Sequence, residues 1–279
     1  YKRQMKRSSL KASYEFILED LDRAAKLLEL DKDYDPSVDV ALFNNATYFN
    51  EYTVYALRAR VALYMKKWDE AIKYSSKVID SGYYLLASCT RAISSGVSYY
   101  KYMWTNDMAT EAIWKVGFTV NSYGGKLGLI FLNYDDMNDL RASTFFESHT
   151  TSFSHHLSWP LLIKYAGNQD FIAANILHVS MPKVLRLSEQ YLIRAEAYVK
   201  KEQPDYGRAG KDITTLRTAR YSSYGGSTPM SEANAMEVIE SERVKELYME
   251  GFRLHDLKRW HKGFERKPQD QSCLLYTSD

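Results

Sequence analysis

The chain has 279 residues, and 37 basic against 35 acidic side chains leave a net charge of +2, with no electrostatic footprint for nucleic acid or an anionic membrane surface. A hydrophobic content of 45% with 26% charged residues excludes a disordered chain. Only 13 Gly and 6 Pro, well under the roughly 12% of average usage, argue against a turn-rich sandwich or barrel and for long helices.

The sequence opens on a polar, basic run, Tyr1 to Arg7, with no initiator Met and no signal peptide. It therefore reads as the inside of a longer protein. Leu10, Tyr14, Ile17, Leu18, Leu21, Ala25 and Leu28 recur at three- and four-residue steps, the stripe of a first amphipathic helix. A polar break with Pro36 follows. Tyr52, Tyr55, Ala56, Ala59, Ala62 and Leu63 predict a second helix over 47–66. Trp68, Ala71, Ile72, Ser75, Val78 and Ile79 predict a third, stopped at Ser81-Gly82, where Gly suits the left-handed position after a helix.

Residues 83–183 are less regular. Alternation over 111–118 predicts one short strand, and Asn121 to Gly125 a loop. Helices return at about 187–201 and 207–220, and over 232–260 in one or two pieces. Ala62 to Ala71 echoes Glu196 to Ala209: each has a helix ending in aromatic-x-Lys-Lys, a short turn, and an aromatic three residues before Ala. Small Ala lets paired helices approach closely, as in tetratricopeptide repeats. The predicted fold is all-α, with tetratricopeptide-like helix pairs and an irregular insertion holding a short strand or hairpin.

Chemistry-bearing constellations are few. Glu242, Glu246 and Glu250 fall at i, i+4 and i+8, among Arg243, Arg253, Asp256 and Arg259. A carboxylate metal site with His255 or His261 is one reading. A structural ion-pair network is preferred, since interleaved Arg would repel a cation and neither Glu-x-x-His pairs nor His-Glu-x-x-His occur. Adjacent His155 and His156 point to opposite sides and do not share an ion easily; His149 and His178 stand alone. Cys89 and Cys273 are too few for a disulfide framework and have no metal-ligand spacing. No Gly-x-Ser-x-Gly, P-loop or Gly-x-Gly-x-x-Gly is present. Asp135, Asp136 and Asp139 could form a carboxylate pair only in the sense that any acidic residues could. No catalytic residue, cofactor or metal is assigned.

Tyr dominates the aromatics, with 23 against 11 Phe and 5 Trp. Tyr99, Tyr100, Tyr102 and Trp104 cluster, Tyr123 sits in the Gly-rich loop, and Trp159 precedes Pro160. Flat rings on irregular segments suit sugars, whose C–H faces pack on aromatic planes; core packing is the alternative, favoured for Tyr100 and Trp104. The ligand-binding candidates are Tyr123 and Trp159, with Tyr99 and Trp104 behind them.

Three C-terminal blocks carry a resemblance. Pro182 to Ala197, Asp212 to Arg220 and Glu242 to Trp260 resemble, in order, the hallmark segments of the SusD/RagB family, and Ala56 to Ile79 is similar to its early repeat. The resemblance covers about 9–269. It implies a helical scaffold lipid-anchored on the outward face of a Bacteroidetes-type outer membrane. It further implies a SusC-like TonB-dependent transporter as partner, an oligosaccharide or peptide as ligand, and no catalysis. Neither Cys can serve as the lipid anchor, which is expected outside this sequence. The expected organisation is repeat-like helices over 1–82, an irregular insertion with the ligand surface over 83–183, family helices over 184–270, and a non-family tail over 271–279. A repeat-type adaptor for a peptide or protein is the second hypothesis, and a glycosidase the third.

Overall fold

The computed structural model describes residues 7–29, 46–47, 49–107, 111–117, 138–150, 158–165, 167–175 and 179–263. Among them lie ten helices and six short strands.

Helix α1 (Leu10–Glu29) follows the predicted stripe, but only Leu21 of that stripe is buried, and Leu10 is 73% exposed. Helix α2 (Glu51–Tyr64) starts later than the periodicity suggested because Asn50 caps it. Asn50 Oδ1 accepts from the Thr53 N–H at 3.0 Å, and Thr53 Oγ1 accepts from the Asn50 N–H at 3.2 Å. These two bonds satisfy donors that a helix start leaves orphaned. The chain turns at Lys66 (φ 60°), and α3 (Trp68–Ile79) runs back until Gly82 (φ 72°).

Strands β1 (Ala92–Ser94) and β2 (Val97–Ser98) form a hairpin that leads directly into α4 (Tyr99–Thr105). Strand β3 (Ala112–Lys115) is shorter than the predicted 111–118. Helix α5 (Arg141–Phe145) passes without a break into β4 (Phe146–Thr150), which pairs antiparallel with β5 (Ser158–Leu162). After α6 (Gln169–Ala173), strand β6 (Lys183–Arg186) closes antiparallel on β3. Helices α7 (Leu187–Lys200), α8 (Tyr206–Arg220), α9 (Ala235–Glu246) and α10 (Arg253–Trp260) complete the described chain. The predicted 232–260 segment is thus two helices, parted at Met249 and Gly251, which both hold positive φ.

The architecture is the expected one: helical, with tetratricopeptide-like pairs. Strand content is slightly higher than predicted, with three two-stranded antiparallel sheets among the described residues. Helix α3 packs against both α2 and α7, and α7 against α8 and α9. The two echoing segments are therefore neighbours in space although more than a hundred residues separate them in the chain. Ala59, Ala62, Ala71, Ile193 and Ala197 share one core cluster with the edge of Trp68. Leu192, Ala195, Ala209, Ile213 and Leu216 share another with Tyr206. Fully buried alanines bring the backbones close, and each buried Leu or Ile adds about 1.5–3 kcal/mol.

Candidate functional site

The irregular middle of the chain is fastened to the helical stack by buried charge. Glu246, at the end of α9, is fully buried and accepts from Arg186, Arg220, Arg141 and the Tyr100 hydroxyl at 2.9, 2.9, 3.3 and 3.2 Å. Glu242, one turn earlier, accepts from Arg141 at 3.0 Å and Arg217 at 2.7 Å. Glu111 accepts from Arg220 at 2.8 Å and Arg186 at 2.5 Å. Glu250 accepts from Arg186 at 2.7 Å and Lys164 at 2.8 Å. Asp139 takes Arg141 in a two-pronged pair at 2.8 and 2.7 Å. Five carboxylates meet Arg141, Arg186, Arg220, Arg217 and Lys164, so the buried charges nearly cancel. That balance is what makes burial tolerable, because an isolated ion would cost several kcal/mol.

The electrostatics follow from this packing. Burial alone pushes the Glu246 carboxyl up, but Arg220, Arg186 and Arg141 hold it well below the usual carboxylate range. Burial pushes the Lys164 ammonium down to about 8 despite Glu250. Its Nζ lies 4.2 and 4.3 Å from the ring centroids of Trp104 and Phe145, where cation–π attraction offsets part of the lost hydration. Burial raises the Cys89 thiol to about 12, so this thiol is not a nucleophile at neutral pH. Glu242, Glu246, Glu250 and Asp139 are thus engaged by arginines, and Glu250 joins them from beyond the end of α9 rather than from the same helix face. Among the described residues, no group of three His, Cys, Asp or Glu is placed to hold a metal ion.

The network also roots the segments that carry candidate ligand residues. The β4–β5 hairpin is pinned on one leg by Arg141 of α5. On its other leg, Lys164 donates to Glu250 and to the Tyr248 carbonyl at 2.7 Å. Trp159 sits on this hairpin, on β5, opposite His149 of β4. Helix α4 is pinned by Tyr100, and Tyr99 is its first residue, half-buried, with the Arg91 guanidinium 5.2 Å over its ring. Trp104 requires a correction. It is 1% exposed and enclosed by Tyr100, Phe145 and Tyr165. One helical turn from Tyr100, it faces inward and has no ring face for a ligand. Tyr123 lies outside the described residues, as do His155, His156, His178, Asp135, Asp136 and Cys273.

Sequence reasoning missed an exposed aromatic patch beside the stack. Phe49 (55% exposed) stacks on Trp114 at 4.7 Å, and Tyr83 (44% exposed) lies 5.1 Å from Tyr52. The Tyr83-Tyr84 doublet just past a helix end was the available signal. Arg141, Arg186, Arg220 and Glu111 were missed as network members, since each is isolated in the sequence from the C-terminal acidic run.

Comparison with known proteins gives a consistent result. The profile of the SusD family matches residues 22–273. No functionally curated protein sequence matches the chain. Among solved structures, a SusD superfamily protein from Bacteroides thetaiotaomicron aligns with a TM-score of 0.71 at 22% identity, covering 96% of this chain and 60% of that one. A SusD-like carbohydrate binding protein from Bacteroides vulgatus aligns at 0.65 and 22%, covering 91% and 52%. The surface glycan-binding protein A of Bacteroides uniformis aligns at 0.64 and 16%, covering 94% and 60%. This chain therefore spans about 60% of the length of the first of these structures.

Proposed function

This chain belongs to the SusD family, and from that premise we propose that it is the glycan-binding surface subunit of a SusC/SusD-type uptake complex. In this reading it sits as a lipoprotein on the outward face of the outer membrane. It captures an oligosaccharide without cleaving it and delivers it to a SusC-like TonB-dependent transporter. The observation that carries the reading is the family match over 22–273. The SusD-like carbohydrate binding protein and the surface glycan-binding protein, whose folds align with this one, add support.

Binding rests on Tyr123 and Trp159, with Tyr99 as a further contributor. Aromatic side chains lose few rotamers when they order, so stacking on a sugar costs little entropy. The rooted hairpin and the Tyr100 anchor of α4 hold Trp159 and Tyr99 on fixed bases, which limits the ordering cost further. A glycan array with the whole protein identifies the sugar. The Tyr123→Ala/Trp159→Ala double variant is then expected to bind it at least about tenfold more weakly, roughly 1.4 kcal/mol. Unchanged affinity for every bound glycan would refute the site assignment.

The stacked helix pairs favour a second reading, an adaptor for a peptide or protein. A pull-down that recovers soluble proteins and never a barrel transporter would select it.

A further inference from the structure

A cleft of about 290 Å³ opens where the α2–α3 turn meets the ends of α7 and α10. Its walls include Tyr64, Trp68 and Trp260, all half-buried, and Lys66, Lys200 and His261 stand exposed around it. The floor is neutralised from within. Buried Glu196 accepts from Arg259 at 2.7 Å and from the Trp260 indole N–H at 2.9 Å. Arg259 also pairs with Asp256, which Arg243 grips at 2.8 and 3.0 Å. Lys66 and Lys200 have no carboxylate partner among the described residues. The cleft thus presents aromatic surface under a rim of uncompensated positive charge.

Backbone strain is stored at the same place. Lys66 (φ 60°) and His261 (φ 55°) each follow a helix end in the left-handed conformation, where glycine is the unstrained choice. Two helix ends therefore carry strained polar side chains beside one cleft, the pattern expected where function outweighs local stability.

We propose that this cleft binds the uronic-acid unit of an acidic oligosaccharide. The apolar face of the pyranose packs on the Trp68 and Trp260 side, and the carboxylate is held by Lys66 and Lys200. Its volume lies at the small end of small-molecule sites, about 300 Å³ and upward, and suits one sugar ring. Lysine point charges fit a solvated carboxylate that needs attraction rather than two-pronged geometry. The cleft is built on the helical stack and does not include the β4–β5 hairpin, so it is a second subsite. The inference rests on the glycan-binding reading above.

The test is calorimetric titration of the whole protein with tetragalacturonic acid and with its methyl-esterified form. The free acid is expected to bind in a salt-sensitive manner, with affinity at least tenfold above that of the ester. The Lys66→Gly/Lys200→Ala variant should lose at least tenfold for the acid. Lys66→Gly alone should melt at the same temperature or higher, because glycine relieves the strain, so lost binding would not reflect lost folding. Failure of the acid to bind, or equal binding by the ester or the double variant, overturns the inference. If a neutral glycan from the array still binds in that case, only the cleft falls; if no glycan binds at all, the glycan-binding reading falls too.

Discussion

Arg220 donates to Glu111, Glu246 and the Ala87 carbonyl and is fully buried. Replacing it removes one cation from two carboxylates buried away from water, leaving Glu111 with Arg186 and Glu246 with Arg186 and Arg141. Arg220→Met is therefore expected to cost about 3–5 kcal/mol in urea unfolding, whereas Lys67→Ala, which breaks the exposed Lys67–Glu70 pair, costs under about 1 kcal/mol. The shifted groups also set pH dependence. The Glu246 carboxyl sits below its ordinary 4.5 in the folded state, so its stabilisation is fully present above that value and is lost as pH falls through and below it. Urea midpoints should drop below pH 4.5, and less steeply in Glu246→Gln. Lys164 shifts the opposite way. Its folded value of about 8 lies below the ordinary 10.5, so the unfolded chain holds more protons between them and stability rises from pH 8 toward 10. Lys164→Met should flatten that limb. A flat wild-type profile over pH 8–10 would contradict the lowering of Lys164 by burial.

At the scale of elements, the helices were legible because an apolar stripe at three- and four-residue steps is a property of the sequence alone. Their ends were less so. Helix α2 begins where Asn50 and Thr53 exchange hydrogen bonds, and a cap is a local contest that periodicity does not see. The break between α9 and α10 was left open, since Tyr248-Met249-Glu250 would continue a helix readily. Glu250 instead leaves the helix line to reach Arg186 and Lys164, contacts 64 and 86 residues away in the chain. Strand β6 escaped for the same reason: its partner β3 lies about 70 residues earlier in the chain. Trp104 was kept as a trailing ligand candidate although core packing was favoured for it, and the fold turns it inward beside Tyr100. Helix α8 gives a packing test. A Cβ at Gly210 would come within 2.4 Å of the Thr228 carbonyl oxygen, whereas one at Gly207 would meet nothing closer than 3.6 Å. Gly210→Ala should destabilise by about 1–3 kcal/mol, and Gly207→Ala should be neutral or stabilising by up to about 1 kcal/mol, read from thermal melts.

At the scale of the molecule, two helix pairs separated by more than a hundred residues stack directly, and the chain between them returns to the stack through buried ion pairs. The weak echo of Ala62–Ala71 in the later helices anticipated the stacking. The three C-terminal blocks anticipated the family, whose profile spans nearly the whole chain. The ligand surface was far less legible, because glycan contacts need only a few rings in the right plane and leave no spacing to read. The segments meet at one joint: Tyr100, Glu111, Arg141 and Lys164 each tie a different segment to Arg186, Arg220 or the carboxylates of 242–250. Such a scaffold suits capture by preformed aromatic faces. The claim that it captures glycans without cutting them is tested most directly by native affinity electrophoresis through embedded polysaccharide, followed by length analysis of the sugar. Retarded migration with every chain recovered at its original length is the predicted result. Unretarded migration through every polysaccharide, or release of shorter sugars, would contradict it.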